Sequence, residues 1–239
     1  MGTSTDYTGG KGGAWRPYKI AASNFAKRGG EKRRVEKVLA RYVGALGGVA
    51  SAGGGAGGSG GVSSGQGVAA FGVGLATGGL TPALESLGLQ HLVGVSRFDV
   101  LDGLLVALGG DGGTLEDQAV NQALCEAFAH LYPDDVETYE ELEAVTLDET
   151  GVVDFIENFV GEWAYARMLP TLAEKFTHIE DPTVAQRRDD ELRERIQLLV
   201  KLEIGDRSAL EIAWRAQEGE QVLSQVVTQL YEDMEDLEP

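Results

Sequence analysis

Gly151-Val-Val-Asp-Phe-Ile-Glu-Asn-Phe-Val-Gly-Glu-Trp163 decides the fold. Its large apolar side chains, Val152, Phe155, Ile156, Phe159, Val160 and Trp163, return at intervals of three and four. That spacing winds them into one stripe along a helix and excludes a strand, whose period is two. So wide a stripe predicts a core helix, with Pro170 kinking or splitting the segment before His178. The flanks carry the same period. Thr114, with Asp117 three residues on, approximates a capping box for a helix over Leu115–Leu131. Ser96 opens Arg97–Leu108, which closes at Gly109-Gly110. Thr81-Pro82 starts a short helix ended by Gly88.

Further along, Pro133 and Asp134 mark a turn into an acidic helix over Asp135–Val145. Asp181-Pro182 caps a charged helix reaching about Glu203. Gly205-Asp206 starts a last pair carrying Leu210, Ile212, Trp214, Val222, Leu223, Val226, Val227 and Leu230. No run alternates at period two, and no hairpin turn sits between strand-like segments. The expected fold class is all-α, an irregular helical bundle body with a disordered, basic, Gly-rich N-terminal arm.

Charge divides the 239 residues unevenly. Residues 1–50 hold ten Lys and Arg against three Asp and Glu, a net of +7, while the remainder is −25. A basic end on an acidic body fits partners chosen by charge, although the acidity of the body alone is explained by solubility. Over 31–46, Val35, Val38, Leu39, Tyr42, Val43 and Leu46 form an apolar stripe opposite Lys32, Arg33, Arg34, Lys37 and Arg41. Here the expectation is a basic amphipathic helix whose apolar face packs on the body or on a partner. Val35, Leu39, Tyr42 and Trp163 are the partner-binding candidates.

Fifteen of the thirty-three residues in 47–79 are glycine, and no charged residue occurs between Arg41 and Glu85. Residues 47–66 are expected to be a Gly/Ser-rich linker, and Val68–Thr77 a short buried helix. A membrane-acting effector using 42–84 is the rival reading, supported by the small-x-x-x-small spacing of Gly57, Gly61 and Gly65 and weakened by low hydropathy. The organisation expected is thus an arm over 1–30, a basic helix over 31–46, a linker over 47–66, an acidic body over 67–230 and an acidic tail over 231–239.

Catalytic chemistry is hard to find. Gly72-Val-Gly74-Leu-Ala-Thr77 lacks the last glycine of a dinucleotide fingerprint, and Lys11 lacks the framing of a P-loop. Cys125 has no cationic neighbour in sequence and is expected to be a buried packing thiol. Glu126/His130 and Glu174/His178 lie four apart, whereas di-metal bundles space Glu and His three apart, so no metal site is assigned. Basic residues 16–41 interleaved with aromatics give nucleic acid a secondary role at most. No catalytic residue, metal or cofactor is expected.

The N-terminus offers a different chemistry. Met1-Gly2 invites removal of the methionine, and Gly2 is then followed by the small polar residues Thr3, Ser4 and Thr5. This start, together with an aromatic-and-glycine tract, a Gly/Ser-rich segment and an acidic helical body, resembles the QatB family, small accessory subunits of the Qat antiphage defence operons. The resemblance implies a cytoplasmic, non-enzymatic subunit whose partners are a P-loop ATPase (QatA), a QueC-like enzyme (QatC) and a TatD-like nuclease (QatD). It implies as well that Gly2 accepts a 7-deazaguanine through an amide, with Thr3, Ser4 and Thr5 as the recognition arm.

Overall fold

The computed structural model describes residues 13–29, 31–54 and 59–237. Among them run eleven α-helices and a single 3-10 turn, with no strand. The longest helix, α9 (Glu149–Phe176), is the axis on which α1 (Trp15–Arg28), α4 (Ser59–Gly78), α7 (Leu115–Leu131) and α10 (Pro182–Gln197) pack. Its stripe faces inward as expected, and then the burial closes round it: every residue from Phe159 to Met168 is buried. Pro170 neither splits nor ends this helix. It stands on the exposed side of a segment that stays helical for six more residues.

The basic helix α2 (Lys32–Leu46) buries Val35, Val38, Leu39, Tyr42 and Val43 and leaves Lys32, Arg33 and Lys37 exposed. Its stripe lies against α1 and against α11 (Gln217–Glu235). Gly47 closes it at φ +97°, a left-handed cap that a side chain would strain. One apolar cluster runs from Tyr18 on α1 to Met234 on α11.

Four expectations need correction. Residues 15–28 are not part of a disordered arm: they form α1, with Tyr18, Ala22 and Phe25 fully buried. Residues 1–12 lie outside the described residues. The second correction concerns the linker, which holds α3 (Val49–Gly54) and the first turns of α4. Its glycines are there for contact. A Cβ on Gly61 would fall 2.3 Å from the Trp163 ring, and on Gly65 3.2 Å from Leu223. Small residues let α4 approach α9 and α11 closely enough to bury Val62, Val68, Phe71 and Leu75, and that burial offsets the poor helix propensity of glycine. The small-x-x-x-small spacing of Gly61 and Gly65, which in membranes packs helices, here packs α4 against Trp163 and Leu223.

Third, residues 231–235 of the acidic tail are the last turn of α11, anchored by buried Tyr231 and Met234, and residues 238 and 239 lie outside the described residues. Fourth, the charged segments are shorter than their composition predicts. The acidic helix α8 covers only Tyr139–Ala144, capped by Thr138, and α10 stops at Gln197. Residues 201–216 are turns held by Trp214, whose indole donates to Ala209 O at 2.8 Å and whose carbonyl accepts from Gln66. Ser96 and Thr114 cap α6 (Arg97–Leu108) and α7 at the expected residues, the latter with a complete capping box. A short helix α5 (Leu80–Ser86) follows α4 directly.

Candidate functional site

The N-terminal segment runs covalently into α1. Its root is fixed. Trp15 meets Tyr18 edge-on at 5.8 Å and Tyr42 at 6.3 Å, while Tyr18 and Tyr42 lie 5.3 Å apart. The Tyr18 hydroxyl, fully buried and held protonated by that burial, donates to Met168 O on α9. The segment bearing Gly2, Thr3, Ser4 and Thr5 lies outside the described residues, and it joins the frame at this aromatic cluster.

The four partner-binding candidates lie in the core. Val35, Leu39, Tyr42 and Trp163 are all buried inside the chain, at most 5% exposed. A stripe of large apolar groups in a sequence does not tell an internal partner from an external one. Tyr42 supports the root of the N-terminal segment, and Trp163 supports α4.

Two charged clusters join helices, the first buried and the second half-buried. In the first, Arg167 on α9 meets Glu116 on α7 at 3.3 Å and donates to Tyr231 on α11 and to Ala52 O on α3. Glu116 in turn accepts from the Trp163 indole at 2.9 Å and from Gly61 N at 3.3 Å. The guanidinium carbon lies 4.8 Å from the Trp163 ring centre. Burial pushes the Glu116 carboxyl up, and Arg167 pulls it partly back. Five helices are tied together by one guanidinium and one carboxyl.

In the second, Arg193 on α10 meets Glu162 at 2.6 Å and Glu126 at 3.4 Å, and sits 4.6 Å over the Tyr165 ring. The Tyr165 hydroxyl donates to Asp189, and Gln197 donates to Glu162. Glu126 is thus a salt-bridge partner and His130 is exposed on the surface. Among the described residues no group of His, Cys, Asp and Glu could hold a metal ion. Cys125 is exposed, against expectation, because its position on α7 turns away from α9. Local burial and then Glu126 raise its thiol, so the nucleophilic thiolate is disfavoured. No helix among the described residues is long and apolar enough to cross a membrane.

Open clefts remain among the described residues. One of about 430 Å³ lies between the ends of α1, α9 and α10, lined by Ser23, Lys27, Lys175, His178 and Glu180. Lys175 is already paired with Glu174 at 2.7 Å.

These features define an all-α protein whose ionic clusters join its helices. A family model described as Qat anti-phage system associated protein QatB matches residues 35–234. The chain belongs to that QatB family, and with it to a Qat anti-phage defence system, whose other components are its partners. Comparisons with curated proteins and with solved structures find no match. The matched range begins within α2, so α1 and the segment before it lie outside it.

Proposed function

We propose that this chain is a non-enzymatic subunit whose N-terminal glycine, Gly2 after loss of Met1, is the acceptor on which a QueC-like partner builds an amide to a 7-deazaguanine. Membership of the QatB family is the observation that carries the reading. The chemistry supports it. An α-amine has a pKa near 7.7–8.0 against about 10.4 for lysine, so its neutral, nucleophilic fraction near pH 7 is larger by roughly two to three powers of ten. In the step itself the Gly2 nitrogen bonds to the ATP-activated carboxyl carbon. The bond to the activating group breaks, and the nitrogen loses a proton. Gly2 has no side chain beside the attacking nitrogen, and Thr3, Ser4 and Thr5 are slim enough to follow it into a tunnel. Lys11 is the nearby competitor, disfavoured by its basicity.

The frame contributes a fixed anchor. Thirteen peptide steps separate Gly2 from Trp15, and covalent geometry limits their span to about 45 Å. A partner that modifies Gly2 while gripping the body must therefore open its active site within that distance of Trp15. The body docks the ATPase or the QueC-like enzyme in the cytoplasm. Intact mass and peptide mapping after coexpression with the QueC-like partner test the proposal. It predicts an adduct confined to the peptide that begins at Gly2, and an unmodified, demethionylated terminus contradicts it.

A further inference from the structure

With the expected partner residues buried, the docking surface of the body has to be found on the outside. Among the described residues the large apolar side chains left exposed are Ile20, Val93, Phe98, Val106 and Leu198. Three of the five fall within fourteen residues, on α6 and the turn before it. Phe98 is 78% exposed and Val106 76%.

α6 is apolar on both sides. Val100, Leu104 and Leu108 point into the core. On the other side, helical spacing sets Phe98, Leu101, Leu105 and Val106 within one arc, the two leucines half-buried at its base. α6 lies at the edge, against α7, α4 and the 3-10 turn Gln90–Leu92, and its outer arc carries Asp102 between Phe98 and Val106. Compare α10, another outer helix, which buries Leu192 and Ile196 and is charged or polar over most of its remaining surface. Among the described residues the outer face of α6 is left uncovered at Phe98 and Val106.

The charge around it selects what covers it. Asp99, Asp102, Asp111 and Asp134 are exposed along and beyond the two ends of α6. Arg97 is the one Lys or Arg between Arg41 and Arg167, and it is engaged with Tyr132 O at 2.8 Å and Asp134 at 3.6 Å. Residues 98–166 carry seventeen Asp and Glu and no Lys or Arg. An apolar ridge in an acidic field repels nucleic acid and anionic lipid and attracts a protein surface of the opposite sign.

We propose that the outer face of α6, centred on Phe98 and Val106, is the docking surface for another Qat subunit, which contributes a segment of apolar side chains flanked by Lys or Arg. This rests on the reading that the body docks a Qat subunit, and does not depend on Gly2 being the acceptor.

The test measures affinity of the purified full chain for each purified Qat subunit, with hydrogen exchange of the chain alone and in complex. The wild type should bind one subunit, more weakly as NaCl is raised, and the amides of Arg97–Leu108 should slow on binding. Phe98→Asp with Val106→Asp should weaken binding at least tenfold, and Asp102→Lys several-fold, with unfolding midpoints unchanged because these side chains are exposed. Unaltered affinity in both variants, with no protection of α6, overturns the inference while leaving subunit docking intact. Absence of binding by the wild type overturns both. Concentration-dependent self-association that Phe98→Asp abolishes, or binding to neutral lipid vesicles through α6, would assign the face to a second copy or to lipid and overturn it as well.

Discussion

Gly61 and Arg167 show how single residues hold this core. A methyl group at Gly61 would enter the space of the Trp163 indole, a rigid ring already fixed by its hydrogen bond to Glu116. Gly61→Ala is therefore expected to destabilise the protein by about 1–3 kcal/mol although alanine is the better helix former, which urea unfolding would read as a lower midpoint. Gly44, with open space around its Cβ position, is the control: Gly44→Ala on α2 should be neutral or stabilising. Arg167→Met leaves Glu116 buried without its cation, a loss of about 3–5 kcal/mol at pH 7. The pH dependence has a definite sign. Because the folded-state carboxyl of Glu116 lies above its ordinary 4.5, its stabilising contribution is whole below that value and is lost as pH rises through the folded value. Removing Arg167 takes away the attraction that opposes this rise. The variant should accordingly lose more stability at pH 7 than at pH 5, measured by unfolding at both. None of this was legible in sequence. Residues 116 and 167 stand fifty-one positions apart, and no spacing rule links them.

Helical elements were legible where local chemistry sets their limits. Ser96 and Thr114 mark the starts of α6 and α7 because a side-chain oxygen caps a backbone amide within three residues. Thr114→Ala should remove about 1 kcal/mol, read from thermal or urea unfolding. Elements that owe their form to tertiary contact were not legible. In isolation the glycines of 47–66 describe a linker, and it is the facing Trp163, Phe159 and Leu223 that favour Gly61 and Gly65 within a helix. Amide exchange decides between the two: Val62 to Leu75 should be protected at close to the global unfolding free energy, whereas a linker would exchange within seconds. The ends of α8 and α10 were over-extended for the converse reason, since charged sequence favours helix wherever no packing ends it. The arc of α6 was missed because periodicity locates apolar faces without showing which of them a neighbour covers.

At the scale of the molecule, the two halves of the account rest on different parts of the chain. The all-α architecture runs from Trp15 to Glu235 and the family match covers residues 35–234, whereas the proposed acceptor lies before both. The frame from α1 to α11 forms one apolar cluster, so its stability should not depend on residues 1–12. Deleting residues 2–12 is expected to leave the urea midpoint within experimental scatter while abolishing modification. The candidate acceptor was legible from Met1-Gly2-Thr3-Ser4-Thr5 only through resemblance, whereas the anchor at Trp15, Tyr18 and Tyr42 emerges from the structure. The central claim, that this subunit is a substrate of its own defence complex, is tested most directly by the mass of its N-terminal peptide after coexpression with the QueC-like partner and its deazaguanine precursor. The account predicts a deazaguanine joined by an amide to the Gly2 nitrogen, absent when Gly2 is replaced by proline. A peptide that has lost only Met1, in the presence of an active partner, would contradict it.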